Sequence, residues 1–582
     1  CRKKGSLDAP EEVLLDVNEL AEGRDFMRLG TYEISPDHNL LAFSTDTTGG
    51  ERYTLQVKDL RTGEIHQDRV ENVTGDMAWA NDNRTFFYSV PDEAWRFYKL
   101  YRHELGTSPD QDELIYHEPD EKFEISIFRT RSDKYLMLDI GSATTDEVRY
   151  LDADSPAGGF RMIKEREEGV EYSVSHQGDR FLIVTNKGAI NFKLMETSTS
   201  RPTERYWREL IPHREETKID RVSAFRDFIV IFKRENGLRA ITVWDLKADE
   251  KHDVSFPEPV YSVYSGENPE YDQTKLRFTY TSLATPNSVY DYDMTARERE
   301  LLKQREVLGG YDPEIYESQR IMATASDGMQ VPISMIYRKG LELNGRNPLW
   351  LNGYGSYGYS SDPYFSSNRV SLLDRGFIYA IAHVRGGGEM GRKWYDEGKL
   401  LKKKNTFTDF IACAEHLIAE KYTDSEHLVI SGGSAGGLLV GAVLNMRPDL
   451  FEVCLAYVPW VDVVNTMLDA SIPLTTVEYE EWGNPNEEEY FNYMLSYSPY
   501  DNVRAVAYPH ILIRSSLNDT RVQYWEPAKW IAKLRAVSTG DKRLILKMAM
   551  GAGHGGVSGR YDRFRRTAFD YAFLLDCFGM AD

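Results

Sequence analysis

The second half of the chain carries, in order, a nucleophile, an acid and a base, each following an apolar segment. Ser434 lies in GGSAGG after the apolar run from Leu428 to Ile430, Asp519 follows HILIRSS, and His554 follows RLILKMA. A serine hydroxyl becomes an effective nucleophile only when a histidine removes its proton and a carboxylate orients that histidine. The order serine, acid, histidine after successive strands therefore predicts a hydrolase triad.

The glycines around Ser434 indicate how the chain would present this hydroxyl. The G-x-S-x-G pattern from Gly432 to Gly436 is typical of the nucleophile elbow of the α/β-hydrolase fold, where the serine occupies a strained turn between strand and helix. Glycine is required at both ends because the strand and the helix approach too closely there for a Cβ atom. The alternative is a tight turn that carries an inert serine.

The acid and the histidine have alternative interpretations too. Asp519 could form an Asx-turn, and His554 could be an ordinary histidine of a glycine-rich turn. His383, in HVRGGGEMG, also ends a strand, but it precedes Ser434 and is out of order for the triad. Three further acids follow Ser434 without directly following a strand of this kind: Asp462, Asp469 and Asp501.

An oxyanion forms when the serine attacks a carbonyl group, and it needs two preorganised hydrogen-bond donors. The backbone N–H of Ala435 is one candidate. The loop NGYGSYG, after the strand ending near Leu351, offers the hydroxyl of Tyr354, with Tyr357 as its competitor. Either tyrosine could instead be a buried aromatic residue.

These residues need a sheet of mostly parallel strands to bring them together. After about Leu308, helical patterns alternate with the apolar strands NPLWLNGYG, GFIYAIAHV, HLVISGG, HILIRSS and RLILKMA. The longest helical pattern is NTFTDFIACAEHLIAEKY, which Asn405 or Thr406 could cap. The alternation predicts a doubly wound α/β-hydrolase domain over residues 308–582.

Residues 1–307 follow a different pattern, a repeat of short β-strands after Asp, Asn or Gly turns. Strands that begin at or near Leu40, Phe86, Tyr135, Phe181, Phe228 and Leu276 are 46 to 49 residues apart. This period is typical of four-stranded propeller blades and predicts a β-propeller domain. Six cycles are visible, and residues missing before Cys1 could complete a seventh blade. The alternative is a set of unrelated hairpins.

Charge and cysteine content restrict the partners and the compartment. The formal net charge of the 582 residues is -22, which argues against nucleic acid or an anionic membrane as partners and favours cationic ligands, although surface acids also serve solubility. Four cysteines lack C-x-x-C spacing, which argues against a zinc site and suits a reducing compartment, so a cytoplasmic location is predicted: Cys1, Cys413, Cys454 and Cys577.

Long motifs extend the pattern beyond the triad. They include NGYGSYG, LLDRGFIYAIAHVRGGGEMGRKWYDEGKLLKKKNTFTDF, GGSAGGLLVGAVLNMRPDLF, SIPLTTVEYEEWGNP, YSPYDNV, VQYWEPAKW and GHGG, with weaker similarity through LLDVNELA and MAWANDNRTFFY. With these motifs the chain resembles the prolyl oligopeptidase family, and within it the trypsin-like branch. The resemblance covers essentially the whole chain. It implies an α/β-hydrolase domain capped by a seven-bladed propeller that admits only short peptides.

The resemblance also implies roles for individual residues. Ser434, Asp519 and His554 match the family's triad, Tyr354 matches its side-chain oxyanion donor beside Ala435, and Arg521 matches an arginine that binds a substrate carbonyl. The family needs no metal or other cofactor. In the trypsin-like branch the acids that match Glu478 and Glu480 recognise a basic P1 side chain, as the charge of such a side chain requires.

The chain departs from the family in two places. An acidic pair near the S2 site is reduced to Asp362 in Asp362-Pro363-Tyr364, so a second basic residue at P2 is expected to be less favoured. The resemblance also implies an N-terminal segment that packs on the catalytic domain and begins the propeller, and this segment is expected to be missing before Cys1, so a separate N-terminal fragment is one possible partner.

The predicted function is that of a serine endopeptidase that cleaves short peptides after Arg or Lys through an acyl-enzyme. Two alternatives stay open at this stage. One is a propeller-gated aminoacyl-peptidase or esterase, which would use the same triad on other substrates. The other is a propeller scaffold whose hydrolase domain is idle.

Overall fold

The N-terminal half of the computed structural model, which describes residues 1–6 and 8–581, consists of four-stranded antiparallel sheets. Two short strands, β1 and β2 (Arg2–Lys3 and Glu11–Glu12), and helix α1 (Val17–Ala21) precede these sheets. Six sheets follow in chain order: β3–β6 (Arg28–Ile34, Leu40–Asp46, Tyr53–Asp59, Ile65–Val73), β7–β10 (Met77–Trp79, Thr85–Pro91, Phe97–Glu104, Glu113–His117), β11–β14 (Glu124–Arg129, Tyr135–Gly141, Asp146–Asp152, Arg161–Lys164), β15–β18 (Tyr172–Gln177, Arg180–Thr185, Lys193–Ser198, Arg208–Ile211), β19–β22 (Thr217–Ala224, Phe228–Glu235, Leu238–Asp245, Glu250–Asp253) and β23–β26 (Tyr261–Ser265, Lys275–Ser282, Ser288–Asp293, Glu298–Gln304).

Apolar clusters join each of these sheets to its neighbour along the chain. One cluster packs Leu138 of the third sheet against Phe87 of the second, and another packs Phe181 of the fourth against Tyr150 of the third. The six strand positions read from the sequence repeat all fall in the second strand of successive sheets. Consecutive sheets stacked through apolar faces form a β-propeller, so the interpretation as unrelated hairpins is wrong. The described residues contain six such sheets, the same number as the cycles visible in the sequence, and the seventh blade that the resemblance implies is not among them.

The C-terminal half contains one eight-stranded sheet with helices packed on it. Its strands run in the spatial order β27-β28-β30-β29-β31-β32-β33-β34, with five parallel pairs after two antiparallel ones. Their bounds are Tyr316–Thr324, Gln330–Arg338, Leu349–Asn352, Ile378–Ala382, Leu428–Gly433, Val453–Tyr457, His510–Ser516 and Leu544–Ala549 for β27 to β34. The predicted mostly parallel α/β sheet is confirmed.

Nine helices accompany this sheet in the described part of the chain. They are α2 to α10: Ser367–Leu373, Arg392–Asp396, Lys404–Ala419, Ala435–Met446, Val463–Leu468, Tyr479–Trp482, Glu488–Leu495, Trp525–Val537 and Arg560–Cys577. The predicted long helix is α4, but its N-cap is Lys403, so the predicted caps are wrong. Thr406 instead donates its hydroxyl to the carbonyl of Arg385, at 2.7 Å, because it lies inside the first turn. None of the helices in the described part of the chain has the length and apolar content that a membrane crossing requires.

The carboxyl ends of the parallel strands face the propeller. Asn518, just after β33, donates its side-chain amide to the carbonyl of Thr48 in the first propeller sheet, at 3.2 Å. A Cβ atom on Gly553, after β34, would lie 1.9 Å from the carbonyl oxygen of Gly49. The loops that follow β33 and β34 therefore lie directly beneath the propeller, at the edge of the sheet where α/β proteins place their sites.

Candidate active site

Ser434 stands between β31 and α5 in a backbone conformation that few residues adopt. Its φ and ψ are 55° and -119°, and its backbone N–H donates to the carbonyl of Tyr457 at 2.9 Å. A Cβ atom on Gly432 would lie 2.0 Å from the carbonyl oxygen of Gly436, so any larger residue would force the strand and helix apart. The turn therefore has the strained geometry of a nucleophile elbow.

Asp519 and His554 form a hydrogen-bonded pair at the ends of neighbouring strands. The Nδ1 atom of His554 lies 2.9 and 2.8 Å from the two carboxylate oxygens of Asp519, whose side chain is fully buried. The backbone N–H groups of Arg521 and Val522 also donate to Asp519, at 3.0 and 2.9 Å. Three N–H donors hold the carboxylate in place, and the carboxylate fixes the histidine tautomer whose Nε2 is free to accept a proton.

Ser434 makes no hydrogen bond to His554 among the contacts of the described residues. Nucleophile and base are often separated or misaligned in enzymes without substrate and approach in the Michaelis complex. His554 lies between Gly553 and Gly555 in a turn, and its side chain is 16% exposed. The pair Asp519–His554 is thus preformed, and the hydrogen bond between His554 and Ser434 is the one that the proposed triad still has to make.

A cavity of about 290 Å³ opens next to Ser434, and among the described residues a single carboxylate lines it. Glu478 and Arg521 are the charged side chains of its wall. The remaining lining is aromatic, aliphatic or small and polar: Tyr354, Tyr357, Ser434, Ala435, Trp460, Thr466, Met467, Pro473, Leu474, Thr475, Trp482 and Val522. The side chain of Trp482 donates from Nε1 to Oε2 of Glu478, at 2.8 Å. The cavity has the dimensions and the apolar walls of a side-chain pocket with an acid on its wall.

Burial governs the charge of Glu478. It raises the pKa of this carboxyl to about 7, and the nearby charge of Glu481 acts in the same direction. The hydroxyl of Tyr357 and the indole of Trp482 oppose the rise because they stabilise the ionised form. A cation that entered the cavity would favour the carboxylate further, so the pocket is suited to a positively charged group.

The two oxyanion candidates line this cavity beside Ser434. Ala435 is the first residue of α5, and the first N–H groups of a helix have no partner within the helix. Burial, together with Glu478 and Glu481, raises the pKa of Tyr354 far above its ordinary value, so its hydroxyl stays protonated and can donate. The Tyr357 hydroxyl acts on Glu478, and the oxyanion role of Tyr354 stays a prediction.

Arg521 links the triad loop to the propeller. Its Nε and Nη2 atoms donate to Oε2 of Glu51, at 3.1 and 2.9 Å, while Arg28 donates to Oε1 of the same carboxylate at 3.0 Å. The Arg521 side chain is 52% exposed and also lines the cavity. The substrate-carbonyl role of Arg521 stays a prediction, and its observed partner is a propeller carboxylate.

The three acids of TTVEYEEWG point in three directions. Glu478 lines the cavity, whereas Glu480 accepts a hydrogen bond from the Thr144 hydroxyl of the propeller, at 3.2 Å, and does not line the cavity. Glu481 is buried in the catalytic domain and accepts from the backbone N–H of Tyr357 at 2.9 Å. Of the two acids predicted to recognise a basic side chain, only Glu478 lies beside Ser434.

Asp362 lies at the domain interface as part of a buried ion cluster. Its carboxylate accepts two hydrogen bonds from Arg234, at 2.8 and 2.9 Å, and a third from Nε of Arg239 at 2.6 Å. Burial acts to raise the pKa of Asp362, but the hydrogen bonds and charges of the two arginines hold it below its ordinary value. The predicted role of Asp362 at the S2 site stays a prediction, and both of its oxygens are already occupied by propeller arginines.

This cluster makes Asp362→Asn a test of the interface. The substitution would take from Arg234, whose side chain is 4% exposed, the carboxylate that accepts two of its hydrogen bonds, and would leave only the more distant Asp220, 3.5 Å away, as its counter-charge. Removal of one partner of a buried pair costs about 3–5 kcal/mol. We expect thermal unfolding to begin at a clearly lower temperature, with the ratio of turnover between P2 arginine and P2 alanine substrates unchanged. Asp272→Asn, which removes an exposed partner of Arg226, should leave both measurements unchanged. A selective loss of P2 arginine turnover at unaltered stability would favour the S2 role instead.

No group of three or more His, Cys, Asp and Glu side chains within residues 1–6 and 8–581 has an arrangement that could hold a metal ion. Sequence reasoning also missed two residues that shape the site, Glu51 and the fully buried Lys403, and it gave Glu481 no role of its own. Their partners lie far away along the chain, so no local motif indicates them.

Comparisons with known proteins find matches in both halves of the chain. The family model "Prolyl oligopeptidase, N-terminal beta-propeller domain" matches residues 1–305, and the model "Prolyl oligopeptidase family" matches residues 363–581. Because the propeller model matches from residue 1, the expectation that the N-terminal part of the propeller is missing is not borne out.

Individual relatives cover nearly the whole chain. Dipeptidyl aminopeptidase BI of Pseudoxanthomonas mexicana is 45% identical, over 98% of this chain and 79% of that protein. Protease 2 of Moraxella lacunata is 44% identical, over 98% of this chain and 83% of that protein. The structure of oligopeptidase B from Leishmania major superposes with a TM-score of 0.96 at 40% identity, over 100% of this chain and 83% of that one.

Proposed function

Because this chain belongs to the prolyl oligopeptidase family of serine peptidases, we propose that it cleaves short peptides on the carboxyl side of Arg and Lys residues, as an enzyme similar to oligopeptidase B. One observation carries the specificity. Glu478 is the sole carboxylate on the wall of the cavity beside Ser434, within the described residues. A P1 lysine or arginine that fills the cavity would find apolar walls for its methylene groups and an acid for its charge.

The proposed reaction uses the residues of the site in two half-reactions. His554 takes the Ser434 proton as the serine oxygen bonds to the scissile carbonyl carbon, and Ala435 N–H and the Tyr354 hydroxyl bind the resulting oxyanion. His554 then gives the proton to the leaving amine, the C–N bond breaks, and an acyl-enzyme ester remains. Water repeats the sequence with His554 as base and releases the carboxylic acid product and Ser434. Asp519 stabilises the imidazolium in both halves.

The propeller is proposed to act as a lid that restricts access to short peptides. Supporting contacts join the propeller to the loops around the site: Glu51 to Arg521, Thr144 to Glu480, Arg234 to Asp362 and the carbonyl of Ala94 to the N–H of Leu474. We place the domain boundary at residues 307 and 308, between β26 and β27. The proposed partners are short basic peptides, and the proposed cytoplasmic location is supported by four cysteines that are all unpaired.

Turnover of matched fluorogenic amides tests the proposed function. We expect the purified protein to cleave an N-acylated peptidyl-arginyl amide far better than its leucyl analogue and than an acetyl-alanyl amide. Preference for the acetyl-alanyl amide would favour the aminoacyl-peptidase or esterase. Absence of cleavage together with absence of labelling by a fluorophosphonate probe would favour an idle scaffold.

The name of one relative supports a second candidate, removal of dipeptides from the amino terminus. An enzyme of that kind needs the free ammonium group of its substrate, whereas an endopeptidase does not. The same dipeptidyl-arginyl amide with a free and with an acetylated amino terminus therefore separates the two. Comparable turnover of both substrates supports the endopeptidase, and loss of turnover on acetylation supports the dipeptidyl aminopeptidase.

The pKa of Glu478 predicts how the preference for basic substrates varies with pH. The carboxyl is neutral below about pH 7 and charged above it, so a basic P1 residue gains its counter-charge as the pH rises through 7. We expect kcat/KM for the arginyl amide, divided by kcat/KM for the leucyl amide, to increase between about pH 6 and pH 8. Effects of pH on the catalytic steps that both substrates share cancel in this ratio. A ratio that stays constant or falls over this range contradicts the assignment of Glu478.

A further inference from the structure

Lys403 is a lysine whose side chain lies entirely inside the catalytic domain. It is 1% exposed and precedes α4, between the neighbouring lysines Lys402 and Lys404. Its Nζ donates to the carbonyl of Gly355, at 2.6 Å, and to the hydroxyl of Ser356, at 2.8 Å. Both acceptors belong to the loop that follows β29 and carries Tyr354.

Burial of an ammonium group is costly, so a lysine in this position needs compensation. Its hydrogen-bond acceptors in the described part of the chain are both neutral, and Nζ also lies 4.7 Å from the centroid of the Trp482 ring. Burial lowers the pKa of Lys403 to about 8, and the charge of Glu481 opposes the decrease. The side chain is therefore mostly charged at neutral pH, and its two acceptors form charge-assisted hydrogen bonds.

The loop that Lys403 binds has an unusual backbone conformation. Gly355, Tyr357 and Gly358 all have positive φ, at +72°, 61° and +61°. Lys403 binds Gly355 and Ser356, and Glu481 binds the backbone N–H of Tyr357, so three successive residues after Tyr354 are each fixed by a buried charged side chain. Within the described residues, these two are the buried charged side chains that bind the backbone next to Tyr354, so the position of the tyrosine depends in part on them. The Tyr354 ring also packs against Tyr359, with the ring centroids 5.3 Å apart.

We propose that Lys403 is a positioning residue of the reaction: it fixes the loop from Gly355 to Ser356 and thereby aims the Tyr354 hydroxyl at the oxyanion. The proposal rests on the proposed function of Tyr354 and adds a residue that never touches the substrate. Loss of Lys403 would leave the tyrosine present but badly placed, and a displacement of about 1 Å can reduce a rate by about 100-fold. The effect should appear in kcat, because oxyanion stabilisation acts in the transition state.

A double-mutant cycle between Lys403→Met and Tyr354→Phe tests the proposal. We expect Lys403→Met to lower kcat for the arginyl amide by about 10- to 100-fold with KM changed by less than about 3-fold, and Tyr354→Phe to lower kcat by about 100-fold. In the double variant the loss should be no larger than that of Tyr354→Phe alone, because a tyrosine without its hydroxyl has nothing to position. Lys402→Met, at an exposed lysine paired with Glu397, is the matched control and should leave kcat unchanged.

The outcomes separate this proposal from the proposed function. Losses that multiply in the double variant would show that Lys403 acts independently of Tyr354 and would overturn the proposal, as would a Lys403→Met variant with unaltered kcat. An unaltered Tyr354→Phe variant would instead refute the oxyanion assignment. If circular dichroism shows that Lys403→Met does not fold, Ser356→Ala replaces it in the cycle. This variant removes one acceptor of Lys403, and the same non-multiplicative pattern with Tyr354→Phe is required of it.

Discussion

Ser434→Ala is expected to lower kcat for an arginyl amide by about 10⁴- to 10⁶-fold while the protein stays folded. The substitution removes the one atom that would form the acyl-enzyme bond. It leaves the backbone of the elbow in place because alanine keeps the Cβ atom that Ser434 already has at φ 55°. Substrate should still bind, since the cavity walls and Glu478 are unaltered, so KM or the inhibition constant of a product should change little.

Two measurements make this result specific. A fluorophosphonate probe should add its mass to the wild-type protein and not to Ser434→Ala, and peptide mapping should place the adduct on residue 434. Ser471→Ala, at an exposed hydroxyl that bonds only to Asp469, is the matched control and should keep full activity. Turnover by Ser434→Ala within about 10-fold of wild type would mean that another group is the nucleophile.

The triad predicts a second, quantitative pattern. Asp519→Asn and His554→Gln should each cost orders of magnitude, but combination of either with Ser434→Ala should cost little more than Ser434→Ala alone. Residues that act as one unit are strongly non-additive, and the Asp519–His554 hydrogen bond has its effect on the reaction only through the serine. Multiplicative losses would indicate that Asp519 and His554 act on stability or on binding rather than on Ser434.

The sequence predicted the parts of this molecule that depend on local patterns. The second strand of every described propeller sheet and the strands β29, β30, β31, β33 and β34 follow from alternating or continuous apolar runs with turn residues at their ends. The elbow is equally local, because Gly432 and Gly436 are only four residues apart and each excludes a Cβ atom for a steric reason.

Side-chain direction could not be predicted in the same way. Glu478, Glu480 and Glu481 lie within four residues, yet one faces the cavity, one the propeller and one the core. The helix that contains Glu480 and Glu481 is only Tyr479–Trp482, with Glu478 as its N-cap, so no periodic pattern fixes which side faces the site. The direction of each of these side chains depends on partners such as Thr144, which is more than 300 residues away along the chain.

The contacts between the domains could not be predicted from the sequence either, because their partners are far apart along the chain. Glu51 and Arg521 are separated by 470 positions, and Asp362 meets Arg234 across 128. The sequence around an acidic residue does not show whether its carboxylate is free to bind a substrate or is already paired with an arginine. Lys403 shows the converse case, since a run of three lysines usually indicates a solvated surface and here its middle member is buried.

Glu478→Gln is expected to reverse the preference for basic substrates. The substitution keeps the shape of the side chain and removes its charge, so an arginyl P1 group would enter the same cavity without a counter-ion. Loss of one partner of a close charge pair costs about 2–5 kcal/mol, which corresponds to a decrease in kcat/KM of about 30- to 4,000-fold. For a leucyl P1 group, which has no charge to pair, kcat/KM should stay within about 3-fold of wild type or increase.

Glu480→Gln is the matched comparison, because it removes the same charge two residues away. Glu480 accepts a hydrogen bond from Thr144 across the domain interface and does not line the cavity, so its substitution should change the arginyl to leucyl ratio by less than about 3-fold. A large effect in Glu480→Gln and a small one in Glu478→Gln would mean that the interface rearranges when substrate binds and brings Glu480 into the pocket. Equal losses for arginyl and leucyl substrates in Glu478→Gln would refute the assignment of Glu478 to substrate specificity, because the carboxylate would then stabilise the fold of the site and not pair with the charge of the substrate.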